Sequence, residues 1–272
     1  MFTACSTRSG RSRRMDSAQA PGLDDRLLRW WWRLRPFYRR HPYPGGGHIG
    51  HADWRGAIDT DHRFFYNRIA KCANSTITQT LAIHAGKPYS ERAQTAKDAF
   101  THPSALTAEQ TEALSSDYFK FTFVRDPYVR LLSAYLDKIV RKRYDTRRGY
   151  RALRAGRGGG DAPPSIDRFI AYLADGGLYA NPHWAPQTSL FLIPQAEFDF
   201  IGRVETLEAD LGFVLERLFP DHARQGRMEI ARSGPRATGA KDRIDELLAP
   251  ANIARLSRLY EADIAGLGYA FL

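Results

Sequence analysis

The chain has 272 residues, 43% of them hydrophobic and 26% charged, which is the make-up of a globular protein and excludes a disordered or fibrous one. Forty Lys and Arg against thirty Asp and Glu leave a formal charge of +10, so an anionic partner is expected: nucleotide, acidic glycan, nucleic acid or membrane surface. Two cysteines, Cys5 and Cys72, are too few for a disulfide framework and point to a reducing compartment.

Residues 1–24 are small, polar and basic and read as a disordered arm. Arg8, Arg11, Arg13 and Arg14 are not followed by the apolar run of a secretory leader. The tryptophans at 30–32, fenced by Arg29 and Arg33, form a group too short and too charged to span a bilayer. They read either as a basic aromatic patch lying on a membrane or as an extension packed on the domain. With a turn-rich stretch at 42–47, residues 1–58 are read as arm and linker, and the folded domain is set at 59–272. The expectation is a soluble, cytoplasmic protein that touches a membrane peripherally at most.

Phe64, Phe65, Tyr66 and Ile69 predict a buried strand ending at Lys71. From Ser75 the spacing becomes helical, with Ile77, Leu81 and Ala85, until Gly86 and Pro88 stop it. Thr107 and Gln110 form a capping-box pair at the start of a short helix. The β-prone run 118–124 predicts a central parallel strand. Asp126 and Pro127 then open a helix with the apolar stripe Tyr128, Leu131, Leu132, Tyr135 and Ile139. The Arg- and Gly-rich stretch 141–160 reads as an exposed, mobile basic loop. Ser165 caps a further helix that the Gly176–Gly177 pair closes, residues 198–204 predict a third strand, and Leu207, Leu211, Val214 and Leu218 mark the helix after it. A last helix over Ile253, Leu256, Leu259 and Ile264 takes Asn252 as its cap. Strands alternating with helices predict an α/β fold: a P-loop-like central parallel sheet covered on both faces, with ligands at the carboxyl ends of the strands.

Two of those strand ends carry anion-binding chemistry. Lys71, Cys72, Ala73, Asn74, Ser75 and Thr76 sit between strand and helix, where backbone N–H groups, the helix dipole, two hydroxyls and a lysine converge. The Gly-x-x-x-x-Gly-Lys-Ser/Thr pattern of nucleotide triphosphatases is missing, so a magnesium-dependent small-molecule kinase is disfavoured. Arg125 stands at the end of the second strand, where a guanidinium grips a phosphate with a bidentate fork or pairs with Asp126 at the surface.

Val124-Arg125-Asp126-Pro127 followed by Arg130-Leu131-x-Ser133-Ala134-Tyr135 resembles the 3′-phosphate motif of sulfotransferases, with Arg125 and Ser133 as the phosphate ligands. Residues 70–76 then resemble the 5′-phosphosulfate loop of that superfamily. Residues 181–187, 198–207, 259–263 and 268–269 extend the resemblance, over about 62–272, to the Golgi carbohydrate sulfotransferases that include chondroitin and dermatan 4-O-sulfotransferases. The chain is read as a soluble, bacterial-type member without their membrane anchor, and Ala73 stands where the family loop usually has glycine.

The resemblance implies 3′-phosphoadenosine 5′-phosphosulfate as co-substrate, a carbohydrate or glycolipid hydroxyl as acceptor, and no metal. Lys71 would meet the charge that grows on the 5′-phosphate as the S–O bond breaks. His183 is the first candidate base and Glu205 the second, each with a structural alternative: His183 orienting Trp184 or the backbone, Glu205 pairing with Arg203 or capping a helix. Trp184 either stacks on a sugar or fills the core. Arg232, with Ser233 and Arg236, is a candidate to close over the 3′-phosphate, and the arginines of 141–157 either bind an anionic glycan or are simply solvated. The rival from another class is a polyanion-binding protein without catalysis; nucleic acid is not expected, because that reading leaves the placement of Lys71 and Arg125 at strand ends unexplained.

Overall fold

The computed structural model describes residues 23–45, 48–88, 93–141, 153, 163–231 and 239–272. Three helices come first: α1 (Leu23–Trp32), α2 (Pro36–Arg40) and α3 (Ile49–Asp53). Strands β1 (Gly56–Asp59) and β2 (Phe64–Asn67) follow, then α4 (Asn74–His84), α5 (Ala93–Asp98) and α6 (Ala108–Ser116). Strand β3 (Phe119–Val124) leads into α7 (Pro127–Ala134), which widens into a π-helical turn at Tyr135–Val140. Helix α8 (Ile166–Ala174), strand β4 (Phe200–Arg203) and helices α9 (Leu207–Leu218), α10 (Pro220–Arg224), α11 (Ile244–Leu247), α12 (Pro250–Leu259) and α13 (Glu261–Gly266) complete the order.

The sheet runs β1-β2-β3-β4, with β2, β3 and β4 parallel and β1 antiparallel to β2. Register places Tyr66 beside Phe121, and their rings stack at 5.0 Å with 9° between planes. One face buries Phe64, Tyr66, Phe121 and Phe123 against Ile77 and Leu81 of α4 and Leu211, Val214 and Leu215 of α9. The other buries Ile58 and Phe65 against Phe37, Tyr38, Leu106 and Leu114. Both faces are covered, so the parallel strands carry apolar residues on either side. A third cluster joins α7 and the π turn to α8, α12 and α13 through Leu132, Phe169, Leu256 and Tyr260.

The boundary read at Asp59 moves. Phe37, Tyr38, Ile49, Ala52, Ala57 and Ile58 are all buried, so much of the stretch taken for arm and linker is core; residues 1–22 lie outside the described ones. The tryptophan cluster divides, with Trp32 packed on that core and Trp30 and Trp31 exposed. Other readings shift in detail. The single last helix is two, α12 and α13, and Asn252 donates to Asp167 while Ala249 takes the cap position before Pro250. The capping box is present, with Gln110 N–H on the Thr107 hydroxyl at 3.1 Å and Thr107 N–H on the Gln110 amide at 3.0 Å. Among the described residues no helix is long and apolar enough to cross a membrane.

Candidate active site

The carboxyl ends of β2 and β3 open side by side onto one cavity of about 660 Å³. After β2 the backbone takes two left-handed turns, at Lys71 (φ 70°) and Ala73 (φ 51°), which swing it round to start α4 at Asn74. An α-helix leaves its first N–H groups without intrahelical partners, and Ala73 at the N-cap offers no side chain to cap them. The first turn of α4, with Asn74, Ser75 and Thr76 on the cavity wall, therefore has the polarity of an anion cradle. Lys71 reaches the same wall, and its ammonium meets Asp137 Oδ2 at 3.1 Å. Burial lowers the Lys71 pKa from its usual value, with Asp137 pulling the other way.

Beyond β3, Asp126 caps α7 by accepting the Val129 N–H at 2.9 Å, with Pro127 in the first turn. The cap fixes the direction in which Arg125 leaves the sheet. Gln187, fully buried, grips the same residue from both sides: its Oε1 accepts the Arg125 N–H at 2.9 Å and its Nε2 donates to the Arg125 carbonyl at 2.8 Å. Gln187 is itself held by Asp263 of α13, whose carboxylate accepts the Gln187 N–H at 2.6 Å and the Thr188 N–H and hydroxyl at 2.9 and 2.8 Å. Arg125 and Ser133 both line the cavity.

Arg130 joins the two halves. It is 1% exposed, and it donates to three carbonyls: Ala70 at 3.0 Å, Ala185 at 2.8 Å and Pro182 at 2.9 Å. The loop between β2 and α4 and the 181–187 segment are thereby fixed to one guanidinium. His183 sits on that segment at the cavity wall, and Asn181 Oδ1 receives both its backbone N–H (2.9 Å) and its Nδ1–H (2.7 Å). The amide oxygen accepts only, so the proton is on Nδ1 and the lone pair on Nε2. Burial, then Lys138, Lys71 and Arg130, press the His183 pKa down to about 3, which keeps the ring neutral.

Other sequence candidates point elsewhere. The Cys72 thiol turns into the interior, donating to Gln187 Oε1 at 3.1 Å, and burial pushes it up to about 12. Glu205 is not on the cavity wall: it accepts the Asp126 N–H at 2.8 Å and the Tyr269 hydroxyl at 3.2 Å, a bracing position and not a base's. Trp184 is core, with its indole N–H on the Gly177 carbonyl at 3.0 Å and its ring edge-on to Phe169. Arg232, Ser233, Arg236 and the basic stretch from 142 lie outside the described residues, save Leu153.

Sequence reasoning missed Asp137 and Lys138, although Asp137 follows Ser133 by four residues, the interval of one helical turn. It also missed a further part of the cavity lining, where the Arg68 guanidinium lies 4.4 Å and the Lys97 ammonium 5.7 Å from the centre of the Trp54 ring. Those residues are brought together by folding, with no local pattern to betray them.

A profile of the sulfotransferase family matches residues 54–270, from the cavity's Trp54 to just short of the last described residue. The chain belongs to the sulfotransferase family. Carbohydrate sulfotransferase 14 of Mus musculus is 34% identical over 181 residues, covering 61% of this chain and 47% of that protein. The Danio rerio protein of the same name is 32% identical over 180 residues (61% and 49%), and carbohydrate sulfotransferase 11 of Mus musculus is 30% identical over 202 residues (62% and 56%). The chain thus spans about half the length of the curated relatives it matches. No solved structure matches it. The kinship overturns the cytoplasmic location read from cysteine usage, since these carbohydrate sulfotransferases are membrane-anchored, lumenal Golgi enzymes. A low cysteine count reports only that a core stands without disulfides, not the compartment it stands in.

Proposed function

We propose that this chain transfers a sulfuryl group from 3′-phosphoadenosine 5′-phosphosulfate to a hydroxyl of a carbohydrate. The observation that carries the reading is the convergence of two strand-end anion sites, Lys71 with the start of α4 and Arg125 with Ser133, on one cavity that also holds a neutral histidine. The donor has two anionic ends, and the two sites match them. Arg125 and Ser133 would hold the 3′-phosphate, and Lys71, Ser75 and Thr76 the 5′-phosphosulfate.

In the transfer the acceptor oxygen attacks sulfur while the S–O bond to the 5′-phosphate breaks, and the bonding pair stays on that phosphate. Charge grows there, where the Lys71 ammonium gains most in the transition state. The hydroxyl proton passes to Nε2 of His183, whose other nitrogen Asn181 holds in the required tautomer; the negative charge of the bound donor, set against Lys71, Lys138 and Arg130, would raise the ring from about 3 toward the range a base needs. Trp54, with Arg68 and Lys97 beside it on the same cavity lining, would offer an aromatic edge and positive charge to a sugar ring. The printed names of the relatives, carbohydrate sulfotransferases 14 and 11, support a carbohydrate acceptor.

Calorimetry with 3′-phosphoadenosine 5′-phosphate and, separately, with ATP and magnesium tests the donor site: the first should bind and the second should not. Equal binding of both, or of neither, would refute the reading. Radiolabelled donor offered with a panel of glycans then tests transfer, and label must appear on carbohydrate.

A further inference from the structure

Asp137 is a carboxylate in a wall otherwise suited to anions. The described acidic residues of that wall are Asp242, which is exposed, and Asp137, whose side chain is 6% exposed. Its Oδ2 takes the Lys71 ammonium at 3.1 Å and the Lys138 ammonium at 3.2 Å. Burial would push its pKa up, but the two lysines outweigh that and hold it below the usual carboxylate range. It is placed there by the π-helical turn Tyr135–Val140, which presents the neighbours Asp137 and Lys138 to one cavity; such turns recur at functional sites.

A fixed negative charge beside Lys71 opposes any phosphosulfate that seeks the same ammonium, so for binding alone it is a fault. Its use must lie in another step. We propose that Asp137 is a positioning residue that aims the Lys71 ammonium, yields it to the donor, and then repels the charged product, so that it trades nucleotide affinity for turnover. The proposal rests on the sulfuryl-transfer reading above.

Lysine carries a compact charge on a flexible four-carbon stem, and the ion pair confines it. When donor oxygens displace Asp137 from Lys71, the carboxylate keeps Lys138 as its counter-ion, so it is not left as a lone buried charge. After transfer the 5′-phosphate of the product carries the added charge, and Asp137 favours its departure. Release is a common limit on turnover.

The test is Asp137→Asn, which keeps the shape and removes the charge. Its affinity for 3′-phosphoadenosine 5′-phosphate, by calorimetry over a range of salt, should be about tenfold tighter than wild type, with a steeper salt dependence because the cavity has gained a net positive charge. Steady-state sulfation should show kcat and the donor KM both reduced about tenfold, and Asp137→Glu should return both toward wild type. A folded Asn variant with unchanged or weaker affinity and the wild-type salt slope would overturn the proposal. Should that variant not fold, Asp137→Ser decides: it too removes the charge, so product should again bind about tenfold tighter, and unchanged or weaker affinity would overturn the proposal equally. If wild-type protein binds no 3′-phosphoadenosine 5′-phosphate, the functional reading falls; if it binds and the variants do not respond, this inference alone falls.

Discussion

Among the described residues Arg130 forms no ion pair; it spends its donors on three carbonyls. Lysine retains the charge but presents a point charge in place of a planar fork, so Arg130→Lys should leave at least one buried carbonyl without a partner. The expected cost is roughly 2–4 kcal/mol, and a fall of several degrees in Tm by calorimetry would show it. His183 makes a pH prediction. Its folded pKa, down to about 3, lies below the unfolded value of about 6.5, so its contribution is fully present above pH 6.5 and is lost as pH falls toward 3. The loss is at most about 1.4 kcal/mol per pH unit, less where water reaches the ring. His183→Gln cannot take the proton; the stability gap between wild type and variant should therefore shrink between pH 7 and pH 5 in denaturant titrations, and a constant gap would contradict the buried neutral ring. At this scale the sequence was informative where chemistry follows chain order. Lys71, Arg125, Ser133 and His183 all reach one cavity, whereas Cys72 and Glu205, equally well placed in the sequence, point away because strand pleat and helix entry decide direction.

The loop between β2 and α4 holds backbone strain that a substitution can release. Ala73 holds a left-handed backbone at φ 51°, which costs a residue with a Cβ about 1–2 kcal/mol, part of which glycine's greater unfolded freedom offsets. Ala73→Gly should thus stabilise the protein by up to about 1 kcal/mol in equilibrium unfolding, and destabilisation would show that the methyl group is needed in packing. The elements with strong local signals formed as read: the capping box of α6, the Asp126–Pro127 entry to α7 and the strand–loop–helix at Lys71. Strand β1 was missed because Gly56, Ala57 and Asp59 carry little strand preference; it exists by antiparallel pairing with β2, which buries all four of its residues. The split between α12 and α13 was equally hidden, since their apolar residues keep one helical spacing across the break at Tyr260.

Across the whole molecule the site depends on one long-range brace. Asp263 holds Gln187 and Thr188, and Gln187 holds the peptide of Arg125, so a carboxylate on α13 fixes a guanidinium at the end of β3. Asp263→Asn would turn an amide NH2 toward groups that already donate. We expect a loss of roughly 3 kcal/mol, seen as a Tm lower by about 6–12 °C, together with weaker binding of 3′-phosphoadenosine 5′-phosphate; a normal melting curve would show that the network is dispensable.

That brace also sets an order of events during synthesis. Both strand ends proposed as anion sites lie within the first half of the sequence, but the residue that steadies the second of them arrives only with α13. A nascent chain that has not yet exposed Asp263 carries Arg125 without that support. Until α13 emerges, the growing strands must hold Arg125 largely on the packing of their aromatic core.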